Sequence, residues 1–250
     1  MPTQPVSKLI VGLKCGGSDY TTALFSNPAL GNAMDRLIAV GGAAILTETP
    51  GFPGCEHILA GRAKTPELAA KIWEIVDFYR NEVKEKFNLS INEGNPSPGN
   101  IAGGITTLVE KALGTIKKGG TGPIEAVIDF ADIVKQSGLT VMNTPGHDVY
   151  STSGSAAGGA QIIAFTTGRG SPLGCALSAV VKITASYTAS KDMAENIDVD
   201  ISSILDGAMT LEDAGKVIFD KIIETANGKE TANEILEHFE FAIPRIGSTL

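Results

Sequence analysis

Leu9-Ile-Val-Gly-Leu-Lys-Cys-Gly-Gly-Ser-Asp19 is an apolar run that closes on a thiol, two successive glycines, a hydroxyl and a carboxylate. Unbroken apolarity followed by glycine and polar residues predicts a β-strand buried on both faces that ends in a loop able to approach a ligand. The same pattern recurs behind further apolar runs at Glu48-Thr-Pro-Gly51, Asn143-Thr-Pro-Gly-His-Asp148 and Thr166-Thr-Gly-Arg-Gly170. In an open α/β sheet, loops leaving the carboxyl ends of parallel strands converge on one crevice. Four such loops therefore predict a single assembled site.

Working outward, strands are expected at 8–14, 43–49, 139–144, 160–167 and 179–185, each a short apolar run with glycine or polar punctuation. Helices are expected between them: 28–40 with Asn27 as cap and Pro28 at the first position, 65–87, 104–117, 124–136 and 210–226. The 65–87 segment carries an apolar stripe at Leu68, Ile72, Ile75, Val76, Tyr79 and Val83, with Trp73 and Phe78 expected to pack in the core beside it. Thr210-Leu-Glu-Asp213 and Thr231-Ala-Asn-Glu234 read as capping boxes. Strand and helix alternate, so the expected fold is an α/β three-layer sandwich with a mostly parallel, Rossmann-like sheet, formed by residues 1–250 as one domain.

At 250 residues with 43% hydrophobic and 19% charged side chains, the chain can bury a large core without disulfides. A net charge of −8 with no dense basic patch argues against nucleic acid as a partner. No apolar stretch approaches the roughly 20 residues of a membrane span. Three irregularly spaced cysteines and no secretory signal suggest a reducing, cytoplasmic setting. An acidic small molecule remains possible if Lys14, Arg169 and Lys182 supply a local positive wall.

Several residues could carry chemistry. Glu48 and His57 are close enough along the chain to meet at the mouth of the second strand, and a carboxylate with an imidazole suits proton abstraction or metal binding. His147 and Asp148 form a similar pair. Cys15 and Cys175 sit beside glycines, which suits metal ligation or reactivity, although no Cys-x-x-Cys pair exists. Asn95-Pro-Ser-Pro-Gly-Asn100 is a stiff, amide-rich loop, readable as a helix cap or as a hydroxyl-binding element. Arg169, flanked by Gly168 and Gly170, can clamp a carboxylate. No phosphate-binding Gly-x-x-x-x-Gly-Lys-Ser/Thr or Gly-x-Gly-x-x-Gly segment occurs, and Gly154-Ser-Ala-Ala-Gly158 does not form a nucleophile elbow.

Taken in order and spacing, these motifs resemble the C-terminal domain of the altronate and galactarate dehydratase family, which also includes the large subunit of sulfolactate sulfo-lyase. The resemblance rests on the 12–19 segment, Asn27-Pro-Ala-Leu-Gly31, Glu48-Thr-Pro50 with Glu56-His57, the 95–100 loop, Thr144-Pro-Gly146 with Asp148, and Phe165 through Gly170 to Gly174-Cys175. It implies dehydration of a sugar acid to a 2-keto-3-deoxy acid with a divalent metal, iron or similar, as cofactor. On that reading Glu48, His57 and Asp148 transfer protons, Cys15 and Cys175 hold the metal, and Arg169 and Lys182 hold the carboxylate. Gly16, Gly17, Ser18, Asp19, Asn95, Ser97, Asn100 and Thr167 complete the substrate pocket. Where the family has Asp-Ile-Asn-Cys-Gly, this chain has Asp198-Val-Asp-Ile-Ser202 and lacks that cysteine. The resemblance also implies a small β-rich N-terminal domain or subunit as partner, and self-association. The competing expectation is a non-catalytic acid-binding or scaffold domain.

Overall fold

In the computed structural model, which describes residues 3–243, the strands are β1 (Ile10–Cys15), β2 (Ala43–Leu46), β3 (Ile124–Ile128), β4 (Gly138–Met142), β5 (Ile162–Thr166), β6 (Ala179–Thr184) and β7 (Val199–Asp200). They form one sheet in the order β3-β4-β2-β1-β5-β6-β7, and every neighbouring pair is parallel. The helices are α1 (Asn27–Ala39), α2 (Glu56–Ala60), α3 (Pro66–Phe87), α4 (Pro98–Ala102), α5 (Leu108–Lys117), α6 (Asp148–Ala157), α7 (Tyr187–Asp192), α8 (Leu211–Ala226) and α9 (Ala232–Ile235).

Because side chains alternate along a strand, the central strands supply two apolar faces. Val11, Leu13, Leu46, Val141, Ala164 and Ile183 pack against Leu37 of α1, Val76 of α3, Ile116 of α5 and Ile218 of α8. On the opposite face, Ile45 and Met142 form one cluster, and Ile163, Phe165 and Val180 form another with Ala156 of α6. This is the expected three-layer α/β sandwich. Burial on both faces explains the continuous apolar runs of β2, β4 and β5, which are buried at every position.

Three sequence expectations need correction, and one strand went unread. Residues 124–136 are not a helix: β3 occupies the start, and a register shift between Ile124 and Ala126 breaks the two-residue alternation. The bulge leaves apolar residues at 124, 127 and 128, a spacing that imitates a helical stripe. The two-residue β7 carried no readable pattern. Asn27 is not the cap of the first helix, because its own backbone is already helical, with φ −66° and ψ −46°. Helical backbone starts at Tyr20 and passes through a π turn at Thr22–Ser26, just before Pro28, a residue that cannot donate to a helical carbonyl. Trp73 and Phe78 are 40% and 47% exposed, so they flank the α3 stripe without joining the core.

Candidate active site

Strand β1 pairs with β2 on one side and β5 on the other, and the chain reverses its direction of sheet growth there. That switch point is where loops after adjacent parallel strands diverge and leave a crevice at the carboxyl edge. A cleft of about 990 Å³ opens there, lined by Lys14 to Ser18 at and beyond the end of β1, Glu48 after β2, Gly146 to Tyr150 at the start of α6, and Arg169 after β5. Residues 87–100 and Lys111 close another side.

The floor of the cleft is built on a buried carboxylate between two ammonium groups. Lys14 and Leu13 point to opposite faces of β1, while Cys15 shares the face of Leu13. Glu48 lies at the strand edge between them, pairing Oε1 with Lys14 and Oε2 with Lys118, which follows α5. Lys14 is 2% exposed, Lys118 0% and Glu48 8%. Burial alone would raise the Glu48 pKa, but Lys118 and Lys14 together bring it down to about 2. Burial likewise works against a charged Lys14, yet Glu48 and then Asp148 raise it above the ordinary lysine range. Glu48 also holds positive φ, 68°, uncommon for a buried non-glycine residue. Its backbone N–H donates to Thr144 Oγ1 at 2.9 Å, and its carboxylate Oε2 accepts from the Cys15 N–H at 3.0 Å.

Asp148, the first residue of α6, reaches Lys14 at 2.8 Å through Oδ1 and is partly open to the cleft, with 37% side-chain exposure. Its Oδ2 lies over Gly16, where a Cβ would meet it at 2.5 Å. A glycine is needed there for the loop and the carboxylate to share the floor. Lys14 further donates to the Gly146 carbonyl at 3.1 Å. Cys15 Sγ lies 3.1 Å from Lys118 Nζ and 3.5 Å from Glu48 Oε2.

The 95–100 loop is both cap and wall. Ser97 and Asn100 form a capping box for α4, and Asn100 Nδ2 donates to the Ser18 carbonyl at 2.8 Å, tying this loop to the one after β1. Lys111 Nζ donates to Asn95 Oδ1 at 2.6 Å and Asn100 Oδ1 at 3.1 Å. Burial lowers its pKa, with Cys15 and Glu48 opposing. Arg169 is exposed at the rim above Gly99 and makes no ion pair among the described residues.

The structure therefore brings Cys15, Gly16, Gly17, Ser18, Glu48, Asn95, Ser97, Asn100, Asp148 and Arg169 to one cleft, but not every residue expected there. His57 is exposed on α2 and does not line it, so the expected Glu48–His57 pair is not formed. Glu48 itself, with both oxygens taken by ammonium groups, is a poor proton acceptor at neutral pH. Asp19 turns away to cap the helical stretch that begins at Tyr20, its Oδ1 accepting from Thr22 N at 2.9 Å and Thr21 Oγ1 at 2.7 Å. Thr167 is fully buried beneath Gly17. Lys182 lies on the same face of the sheet as Lys14 but two strands away on β6, fully buried and outside the cleft lining, donating to the Ser171 carbonyl at 2.9 Å, to the Leu173 carbonyl and to Asn233 Oδ1 at 3.1 Å. Burial pushes its pKa down to about 8, with Asp198 the leading opposing charge.

Cys15 and Cys175 are not partners. Cys15 shares a face with Leu13, whereas Cys175 packs with Ile163, Phe165 and Val180 on the opposite face. Among the described residues no three His, Cys, Asp or Glu side chains gather as a metal-binding group. The donors next to Cys15 are Glu48, already neutralised, and an ammonium. This chain's Cys15–Cys175 pair does not fit a shared metal. Lys111 and Lys118 are the site residues that sequence reasoning missed. Their seven-residue spacing places both on one face of the α5 segment, the available signal, but a terminal helical lysine ordinarily reads as a solvated charge.

An all-parallel sheet with a cleft lined by both cationic and acidic side chains at its switch point defines an α/β domain with a small-molecule-sized pocket at its carboxyl edge. The chain belongs to the D-galactarate/altronate dehydratase, C-terminal family, whose family model matches residues 6–249. It is 37% identical over 98% of its length to an altronate dehydratase of Bacillus subtilis (strain 168), covering 49% of that protein. It is 34% identical over 96% of its length to a (2R)-sulfolactate sulfo-lyase subunit beta of Chromohalobacter salexigens, covering 62% of it. It is 33% identical over 91% of its length to the galactarate dehydratase (L-threo-forming) of Escherichia coli K12, covering 43%. The chain thus spans about half the length of the curated dehydratases it matches. No helix among the described residues is long and apolar enough to cross a membrane.

Proposed function

We propose that the cleft binds a sugar acid of the altronate or galactarate type and removes water from it to give a 2-keto-3-deoxy acid, in concert with a further domain or subunit. The observation that carries this reading is the pairing of a cleft-facing carboxylate, Asp148, with a rim guanidinium, Arg169, that makes no ion pair among the described residues. Arg169 takes the substrate carboxylate in a bidentate clamp. The polar atoms of Asn95, Ser97 and Ser18 face the hydroxyl groups along the chain.

Asp148 Oδ2 removes the proton from the carbon beside the carboxylate, and the electron pair of that C–H bond moves into the carboxylate to give an enediolate. The C–O bond at the next carbon then breaks, and the departing hydroxide takes the proton back from Asp148 to leave as water. The enol that results tautomerises to the 2-keto acid. Names among the relatives, a sulfo-lyase subunit and dehydratases about twice as long, support a partner polypeptide.

Turnover of altronate and galactarate to a 2-keto-3-deoxy acid, assayed anaerobically with and without ferrous iron and with and without a supplied small β-rich family domain, tests the reading. Product formation in any arm, lost in Asp148→Asn, is the expected result. Binding of the acids without turnover in every arm would convert the proposal into an acid-binding domain, and neither binding nor turnover would overturn it.

A further inference from the structure

Resting on that reading of the cleft, we infer that Lys14 is the catalytic cation of the site and that Glu48, anchored by Lys118, is the residue that positions it. An enediolate gains charge on the oxygens of the former carboxylate, so elimination needs a fixed positive group at the cleft floor that does not surrender its proton. Lys14 meets both requirements by geometry. Its ammonium lines the cleft, yet is held from two directions, by Glu48 after β2 and by Asp148 on α6, and from a third by the Gly146 carbonyl.

Glu48 makes that arrangement durable. One of its oxygens is on Lys14 and the other on Lys118, so the carboxylate cannot rotate away without leaving a buried ammonium unpaired. The backbone bears the same mark. Glu48 keeps positive φ, an uncommon conformation that persists where the surroundings over-determine it. The charged and titratable groups facing this centre are Lys14 and Cys15 from β1, Glu48 after β2, Lys111 and Lys118 from the α5 segment, and Asp148 from α6. Lys14 is thus the electrophile beside the base, and Glu48 acts through Lys14 without touching the substrate. The anchor is a salt-bridged carboxylate rather than a proton carrier, which separates it in role from Asp148.

The full chain, together with whatever partner domain supports turnover, provides the test, read by sugar-acid affinity in calorimetry and by kcat. Lys14→Met should lose about 10²-fold or more in kcat with a smaller change in KM, and Lys14→Arg should recover part of it by restoring the charge. Glu48→Gln should shift the alkaline limb of activity or binding at least one pH unit downward, with recovery on acidification, because Lys14 then loses its main counter-charge. A merely structural Glu48 would lower folded protein without moving that limb. If Glu48→Gln does not fold, the Met and Arg variants at Lys14 decide alone. Wild-type turnover with Lys14→Met within threefold of it overturns the inference while leaving the functional reading intact. Absence of both binding and turnover in the wild type overturns that reading and this inference with it.

Discussion

At the scale of single residues, the site is governed by which charges are compensated. Lys118 is fully buried and meets Glu48 Oε2, so Lys118→Met leaves that oxygen with only the Cys15 N–H and the weak Cys15 thiol contact, and no cation. Breaking one partner of a buried pair costs about 3 kcal/mol, and for a chain of this size that lowers Tm by about 10 °C at pH 7. The dependence on acid follows from the lowered Glu48 pKa. A carboxyl held near 2 in the fold and near 4.5 unfolded contributes stability that is complete above 4.5 and is lost as pH falls toward 2. Thermal melts from pH 7 down to pH 3 should therefore show the wild type losing its advantage over Lys118→Met. A constant gap would remove Glu48 as its source. A second residue is diagnostic for binding: a Cβ on Gly99 would run into the Arg169 guanidinium. Gly99→Ala should weaken sugar-acid affinity about tenfold, roughly 1.4 kcal/mol, with Tm within about 2 °C, since the long side chain can swing aside. Unchanged affinity would place the carboxylate elsewhere. The glycine, carboxylate and arginine positions of this site were readable because each interrupts an apolar strand. Lys118 was not, because its burial depends on which way α5 faces, a property of packing rather than of local sequence.

At the scale of elements, caps and strand ends were read well and the exceptions have definite causes. Thr210 Oγ1 accepts from Asp213 N at 3.1 Å, and Asp213 Oδ2 returns the contact by accepting from the Thr210 backbone N–H at 3.2 Å, as the capping-box pattern predicts. Thr210→Ala should cost about 1 kcal/mol and lower Tm by about 3 °C. Because α8 packs on α1 and contributes nothing to the cleft, acid binding and turnover should not change. A loss of binding in that variant would mean that α8 communicates with the carboxyl edge. The misread 124–136 segment shows the opposite situation. Ile124, Val127 and Ile128 satisfy a helical spacing only because the strand is bulged, and the extended backbone is imposed by pairing with β4 and by the Ala63 bridge. Asp19 illustrates a third case: a carboxylate in a site-like loop that serves the helix behind it, satisfying Thr21 and Thr22. A polar residue after a strand is ambiguous between capping and ligand until the next element's start is known.

At the scale of the whole molecule, one face of the sheet carries two kinds of buried lysine, Lys14 on β1 and Lys182 on β6, in register through Phe165 of β5. Lys14 and Lys118 share a carboxylate, whereas Lys182 has neutral partners only: two loop carbonyls, the Asn233 amide of α9 and the Phe165 ring at 5.2 Å. It joins the loop after β5 to α9 across β6, so its charge is a property of the assembled fold. With a pKa near 8 in the fold and 10.5 unfolded, the unfolded chain binds more protons between those values, and stability from this group rises with pH across that window. Below about pH 8 the buried ammonium is a net burden of about 3 kcal/mol, from roughly 1.4 per unit. Lys182→Met removes that burden but strands the Ser171 carbonyl and Asn233 Oδ1, together a loss of about 3 kcal/mol, while the Leu173 carbonyl keeps the Asn233 amide N–H at 3.1 Å. The two effects nearly cancel near neutral pH. The expected outcome is a Met variant with a Tm close to wild type at pH 7 that falls progressively behind it from pH 8 to 10.5, measured as the difference between paired melts so that the other titrating lysines and tyrosines cancel. A difference that stays flat over that range would show that the carbonyl cage keeps Lys182 charged as firmly as water does, and would make the α9 contact an ordinary charge-assisted hydrogen bond.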